Sequence, residues 1–480
     1  MPKLSGVYND VGDGALGSVP ASIENDMVVF GVSQTGTVNT VFSCTDKNAA
    51  IKYLGMGPLT QAAVYLMGAG AIKVVPVGSD ISGAYGEVRS SNHGSHTVTL
   101  ARAPVDNYSV VIVTGETRPG NVTMFKYSLN GGATFSKPVP ASFMIIPGLG
   151  SPDIIRYSSF LIPDTGIEFT FETEETAGIP REITFTFECT APSFSTPMLN
   201  AAVKAFLATP YQASLFCIVD TPTSAADTAS RIVAVQTMLT TAESQKRYIR
   251  AIVEAADDDT PLLLSATSNT EAKRVVCCAG FVNLFSEMDG MVYRRSAAWP
   301  VARRAIATRC NVHVGRVKDG TLSGIQSLDH DERSTPDLCN DEARFCTLRT
   351  YVETPGFFVE DDFTMAKPGS DFAQLRNGRV MDKALRIADQ FLVQLVHDDF
   401  ALEANGTIAE HEALRIEAYV GQGIRNGIVA AGNASASEFT INRFEDMAAT
   451  RTIRCKTRIQ VRPDAKWIEH DIAFTRALSE

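Results

Sequence analysis

The runs Met27-Val28-Val29-Phe30-Gly31, Pro58 to Met67 and Ile72-Lys73-Val74-Val75-Pro76-Val77 decide the fold class. The first is a short, nearly unbroken apolar run closed by glycine, the pattern of a buried strand. In the second, Leu59, Ala62, Ala63 and Leu66 recur on one helical face, and Gly68 and Gly70 then stop the helix. The third reads as a second strand. Strand, helix and strand in this order make a β-α-β unit.

The same alternation returns from Met198. A helix is expected around Leu199 to Leu207, a strand at Ser214 to Val219, a helix at Ala225 to Glu243 and a strand at Tyr248 to Val253. A capping box, Ser268 to Glu271, predicts one more helix, which would bury Ala272, Val275, Val276 and Ala279 and carry Cys277 and Cys278. Long helices are expected near Arg379 to His397 and Glu410 to Gly421. This is α/β text with a mostly buried sheet.

Between Gly86 and Pro192 helical periodicity gives way to strand-like runs: His96 to Leu100, Tyr108 to Thr114, Thr123 to Leu129, Gly166 to Glu172 and Glu182 to Cys189. Asn130-Gly131, between Phe125 to Ser128 and Ala133 to Phe135, predicts a type I′ hairpin, because both residues tolerate positive φ. The expected architecture is a multidomain α+β and α/β chain with an α/β core, an inserted antiparallel β domain and extended N- and C-terminal arms. The expected boundaries are an arm over 1–22, the first part of the core over 23–85, the β insertion over 86–192, the main α/β domain over 193–400, and a C-terminal α+β part over 401–480 ending in a strand arm.

Both ends have the text of arms. Residues 1–20 are glycine-rich and weakly periodic, yet they hold Leu4, Val7 and Tyr8. In Thr452 to Val461, Ile453, Cys455, Thr457, Ile459 and Val461 alternate with Arg454, Lys456, Arg458 and Gln460. After Arg462-Pro463-Asp464 a second strand is expected over Trp467 to Thr475, with Glu469 and Asp471 on one face and Ile468, His470, Ile472 and Phe474 on the other. One strand is basic and the next acidic. Such strands can pair within their own domain or be given to a neighbour's sheet edge, where main-chain bonds supply affinity and alternating charge selects register.

Composition excludes several classes. At 480 residues the chain exceeds what one hydrophobic core holds, and its 45% hydrophobic and 20% charged residues fit a folded protein. With 43 Lys+Arg against 54 Asp+Glu, a net charge of −11, the whole surface is not built to neutralise phosphates, and no direct nucleic-acid partner is expected. No run approaches the ~18–20 apolar residues of a membrane span, and the start Met1 to Gly6 lacks a secretory pattern, so a chain made and kept in a cytoplasm without membrane insertion is expected. Nine scattered cysteines read as reduced, buried thiols.

Motifs for chemistry are few. Gly68-Ala69-Gly70 follows a helix and lacks a following Lys-Ser/Thr, so it reads as a helix stop rather than a phosphate cradle. His411-Glu412 opens like a zinc-protease helix, but Arg415 stands where the second histidine is needed. His330-Asp331-Glu332 and His397-Asp398-Asp399 could orient a general base, but no nucleophile elbow accompanies them, and both read as solvated clusters. Asp257-Asp258-Asp259 lacks the ligand spacing of a calcium loop. Arg294, Arg295, Arg303, Arg304 and Arg309 read as salt-bridge formers within the domain or towards another subunit. No catalytic residue, metal ligand or cofactor is expected.

Several segments, taken in order, resemble contractile phage tail sheath proteins: Val32 to Gly36, Thr40 to Ser43, Tyr53 to Leu59, Gly70 to Val77, and Trp299-Pro300-Val301-Ala302-Arg303-Arg304, which is similar to the stretch before that family's core helix. Thr354 to Val359 and Asp371 to Asp382, with Arg376, Arg379 and Val380, are similar to the late sheath segment. Ser5-Gly6-Val7-Tyr8 is similar to the family's Pro-Gly-Val-Tyr opening, with Ser in place of Pro, and Tyr127 to Gly132 to an insertion in some phage and prophage sheaths.

The resemblance implies a non-enzymatic subunit that stacks as hexameric rings around a tail tube and contracts to drive it through a host envelope. The implied partners are further copies, the tube protein, and baseplate and tail terminator proteins. The implied location is the virion, with the host cytoplasm during assembly. Leu4, Val7, Tyr8, Ile453, Arg454, Lys456, Arg458, Ile459, Trp467, Ile472 and Phe474 are the expected interface residues of the arms. The alternatives are the sheath of a phage-tail-like bacterial injection system, or a cytosolic α/β enzyme with a β insertion.

Overall fold

The structure, a computed structural model, describes residues 23–91, 96–118, 122–146, 154–173, 183–470, 472 and 474. Its centre is a six-stranded sheet in the order Val275–Cys278, Arg250–Glu254, Leu215–Val219, Met27–Val32, Ile72–Val77 and Phe42–Cys44. The first five strands run parallel, and only the short Phe42–Cys44 strand is antiparallel. The β-α-β unit lies here as expected, with Met27–Val32 paired residue by residue to Ile72–Val77.

The apolar runs are unbroken because both faces of the sheet are covered, and successive side chains point to opposite faces. Met27, Val29, Leu215, Cys217 and Ile252 join one core, roofed by helices Pro58–Met67 and Ala298–Ala307. Val28, Phe30, Phe216, Ile218, Ala251 and Val253 join the other, under helices Thr196–Leu207 and Ala225–Ser244. Phe30 meets Phe216 and Phe206 edge to face, at ring separations of 4.8 and 6.4 Å. Each such fully buried side chain contributes ~1.5–3 kcal/mol of transfer free energy.

Three local expectations are corrected. The capping-box helix does not form: the helix is Thr260–Thr267, and Val275–Cys278 is the strand at the end of the sheet. Ala272, Val275, Val276 and Ala279 do have helical spacing, but Cys277 and Cys278 are buried as well, and consecutive buried residues suit a strand covered on both faces. Trp299 to Arg304 does not precede a helix but lies within one, Ala298–Ala307. The Asn130-Gly131 turn is no type I′ hairpin: Gly131 and Gly132 take φ of 70° and 94°, Asn130 Oδ1 accepts from the Thr134 N–H, and the return strand begins only at Val139.

The described residues of 84–190 contribute a ten-stranded antiparallel sheet. Its core is aromatic, with Phe125 touching Phe160, Phe169 and Phe171 at 5.1–5.7 Å between centroids. All the strands expected in this block are present.

Among the described residues the chain divides into two compact units, one of residue 23 with Lys383–Arg462 and one of Glu24–Asp382 with residues 463–470, 472 and 474. In the larger unit Arg250, almost wholly buried, donates to Asp382 at 2.8 Å and to the Lys273 carbonyl, and Arg274 bridges Asp382 and Glu243. Gly378, in helix Leu375–Leu392, makes room for the Arg250 guanidinium, since a Cβ there would stand 1.8 Å from Cζ.

In an ordinary helix interior Gly→Ala gains ~1 kcal/mol. At Gly378 the sign should reverse, because the buried Arg250–Asp382 pair must separate. We expect Gly378→Ala to lose about 3 kcal/mol in denaturant unfolding, the scale of a broken buried ion pair.

Candidate assembly interface

The smaller unit carries a two-stranded antiparallel ribbon, Ala434–Ile441 with Cys455–Val461. Ala434, Phe439 and Ile441 are buried, and the first strand lies along helix Glu410–Ile424. The second strand is exposed at every residue except the half-buried Ile459. It is therefore an outer strand with unsatisfied main-chain groups along its free edge, the feature that invites another chain to pair.

The interface residues expected from the pattern fall into three groups. Leu4, Val7 and Tyr8 lie outside the described residues. Ile453 and Arg454 come just before the strand, whereas Lys456, Arg458 and Ile459 are within it. Arg458 faces Glu438 across the ribbon at 3.3 Å, and Arg454 reaches Glu445 at 3.4 Å.

For the segment holding Trp467, Ile472 and Phe474 the expected strand is corrected. None of the described residues over Trp467 to Thr475 is in a strand, and Trp467, Ile468, Ile472 and Phe474 are 78–109% exposed. Alternation is a property of the side chains, but a strand exists only where a ladder partner supplies hydrogen bonds, and among the described residues no strand pairs with this segment.

Just upstream, side chains hold the tail to the larger unit. Asp464 pairs with Arg376, and Lys466 Nζ lies 2.7 Å from Asp361 and 4.8 Å from the centroid of Phe363. The Gly315 N–H donates to Nδ1 of His313 at 2.9 Å, so Nε2 carries the proton and donates to Asp361 Oδ1 at 3.0 Å. Burial pushes the Asp361 carboxyl up, but the His313 and Lys466 hydrogen bonds together outweigh it and hold the group at about 2. Burial alone dominates at Asp362 and raises it. Sequence reading missed this cluster because its members lie at 313, 361–363, 376 and 464–466, with no local spacing to reveal them.

A cavity of about 680 Å³ lies in the larger unit. It opens at the carboxyl ends of the Met27–Val32, Leu215–Val219 and Arg250–Glu254 strands, the place where α/β sheets commonly receive ligands. Its charged groups are turned towards one another. Asp220 pairs with Arg231 at 2.7 Å and Asp257 with Arg294 at 2.6 Å, while Glu254 accepts from Thr221 Oγ1 at 2.6 Å and Trp299 Nε1 at 2.8 Å.

Of the basic cluster, Arg294 and Arg295 form ion pairs within the domain as expected, Arg295 chelating buried Asp106, whereas Arg303 donates to the Tyr65 carbonyl and Arg304 to those of Asp319 and Gly320. His330-Asp331-Glu332 is not solvated as expected: Glu332 is buried, accepts from His330 and Thr347, and takes the Leu338 and Cys339 N–H groups. His397-Asp398-Asp399 is exposed.

The whole chain has the fold of contractile sheath proteins. A chain of the sheath complex of an extracellular contractile injection system (PVC) in the contracted state is similar at a TM-score of 0.54 and 9% identity, covering 99% of this chain and 98% of that one. A chain of the anti-feeding prophage baseplate gives 0.52 at 11% identity and covers 100% of both. The sheath tail protein of Desulfitobacterium hafniense gives 0.44 at 13% identity, over 91% and 93%. What is shared at these identities is the fold. By sequence the chain belongs to the DUF2586 family, whose N-terminal domain matches residues 4–363 and whose C-terminal domain matches residues 371–479. No curated protein matches it. No helix among the described residues is long and apolar enough to cross a membrane.

Glu254 gives the cavity a measurable signature. Burial pushes its carboxyl from 4.5 up to about 7, against the pull of the Thr221 and Trp299 hydrogen bonds. The folded protein thus keeps a proton that the unfolded chain releases, so the stability tied to this group is full below about pH 4.5 and is lost as pH rises through 7. We expect Glu254→Gln to remove about 3 kcal/mol of pH dependence between pH 4.5 and 8, read as a flatter plot of unfolding free energy against pH.

Proposed function

We propose that this protein is the sheath subunit of a contractile tail-like particle. It polymerises as stacked hexameric rings around a tube, and contraction drives the tube through a target envelope. The observation that carries the reading is the likeness of the entire chain to a subunit of a contracted sheath, with almost complete coverage on both sides. Its partners are further copies of itself, the tube protein, and baseplate and terminator proteins, and it works in the particle after assembly in the host cytoplasm. The sequence resemblance favours a phage tail delivering a genome. The similarity to the PVC sheath and the anti-feeding prophage baseplate supports a second reading, a phage-tail-like injection system.

Contact between copies runs through the arms. Trp467, Ile468, Ile472 and Phe474 are exposed, and in strand form the sequence would set Ile468, Ile472 and Phe474 on one face and Glu469 and Asp471 on the other. The free edge of Cys455–Val461 is basic at Lys456 and Arg458. The tail of one copy takes strand form when it joins that edge in another, since the neighbour supplies the ladder that the lone chain lacks. Open, non-closing contacts of this kind generate helical stacks, and flexible connections let rigid bodies slide during contraction.

Negative-stain electron microscopy of the purified chain across protein and salt concentration tests the class. Hollow tubes or stacked rings are expected, and particles that stay small even with a tube template would overturn the reading. Deleting residues 467–480 should leave the unfolding free energy within about 0.5 kcal/mol of the full chain while abolishing tubes. Reversing Lys456 and Arg458 to Glu should impair tube formation more than the same reversal at Lys3 and Lys52; equal effects would remove the role of charge in setting register.

A further inference from the structure

We propose that residues 463–466 form an intramolecular ionic clip that fixes the point and the register at which the C-terminal arm leaves the body. The inference uses the arm reading only for its consequence in assembly.

The contact has two ion pairs of opposite polarity. Acidic Asp464 of the tail meets basic Arg376 of the body, and two residues on, basic Lys466 of the tail meets acidic Asp361 of the body. Sliding the tail by two residues would bring Lys466 to Arg376 or Asp464 to Asp361, setting like charges together at a site shielded from water. Alternating polarity therefore accepts one register and rejects its neighbours, which a pair of equal charges would not do.

The two halves of the clip are unequally prepared. On the body, Asp361 and Arg376 have side chains only 2% and 8% exposed. Asp361 is fixed from behind by His313 Nε2–H and by the Asp362 N–H at 2.8 Å, and Arg376 is held to Gln374. Phe363 lies under the Lys466 ammonium. On the tail, Asp464 and Lys466 are 39% and 33% exposed. A receptor oriented by its own hydrogen bonds thus faces a half-exposed segment that docks by its side chains. Among the described residues no backbone–backbone hydrogen bond joins 463–470 to the rest of the chain.

The transition from held to exposed is abrupt. Lys466 is two-thirds covered, and Trp467, the next residue, is 78% exposed. Removing the tail leaves the Asp361 carboxylate in the body without its ammonium partner, so docking is favoured by the cost of an uncompensated buried charge as well as by attraction.

Chymotryptic cleavage after Trp467 reads the clip, because a protease needs several residues on both sides of the bond to leave the surface. We expect Arg376→Asp and Asp464→Arg each to speed cleavage about tenfold over the unaltered chain, and the double variant to return to its rate. An equimolar mixture of the two single variants should stay fast. In that mixture every contact between unlike copies is complementary while every contact within a copy is repelled, so slow cleavage would show that the clip joins two copies and overturn the intramolecular assignment. Single variants cleaved at the rate of the unaltered chain, or a double variant as fast as the singles, would overturn the clip itself.

Asp464→Arg lies on the half-exposed tail and leaves the body's fold intact, which keeps the test valid if Arg376→Asp does not fold. Cleavage is measured on unassembled protein. A failure of the unaltered chain to form tubes counts against the sheath reading and leaves the clip standing.

Discussion

A parallel strand buried in the middle of a sheet must be covered on both faces, and the rest of this molecule is arranged to meet that requirement. Met27 to Phe30 and Leu215 to Ile218 send alternate side chains into two separate cores. Each core needs its own roof of helices; crossovers between parallel strands supply Pro58–Met67, Thr196–Leu207 and Ala225–Ser244, and Ala298–Ala307 follows the last strand of the sheet. The strands bring Glu254 and Asp220 to one end of the sheet, where Arg231, Thr221 and Trp299 pair with them. The β insertion leaves the core after the Ile72–Val77 strand and returns to it before the Leu215–Val219 strand, so the sheet is interrupted in sequence but continuous in space.

Charge is handled in two ways. Inside the larger unit arginines are bound two or three times over: Arg250 and Arg274 share Asp382, and Arg295 chelates Asp106. Unpaired, each such group would carry a large desolvation cost, so the pairs act mainly as constraints that allow one arrangement of the elements they join. Towards the C-terminus the charges are exposed, and surface pairs such as Arg458 with Glu438 contribute ~0–1 kcal/mol. Their value lies in selecting partners and register, which is what an assembling surface requires.

Elements with a strong local signal were legible. The Met27–Val32 and Ile72–Val77 strands, the helices Pro58–Met67 and Ala225–Ser244 and the strands of the β insertion follow from apolar period and glycine stops. Val275 to Cys278 is ambiguous in sequence because four buried residues in a row also satisfy part of a helical period, and the decision between the two belongs to the sheet beside them. Of the candidate interface, Lys456, Arg458 and Ile459 lie in a strand as their alternation suggested, and Trp467, Ile472 and Phe474 do not, because among the described residues the same alternation has no ladder to join.

What the sequence determined by itself is the alphabet of the fold: which runs can be buried, where helices stop, and that one end of the chain carries a basic strand followed by an apolar and acidic tail. These are local properties, set by side-chain period and backbone preference within about a dozen residues. Only the tertiary structure decided that the basic strand pairs with Ala434–Ile441, that Glu254 is shut away beneath Trp299, and that Asp361 and Arg376 come together to receive Lys466 and Asp464. Two of those contacts join residues about a hundred positions apart and a third joins residues 45 apart, and no spacing rule reaches across such distances. They exist because the two cores and their covering helices bring the chain back to the same places.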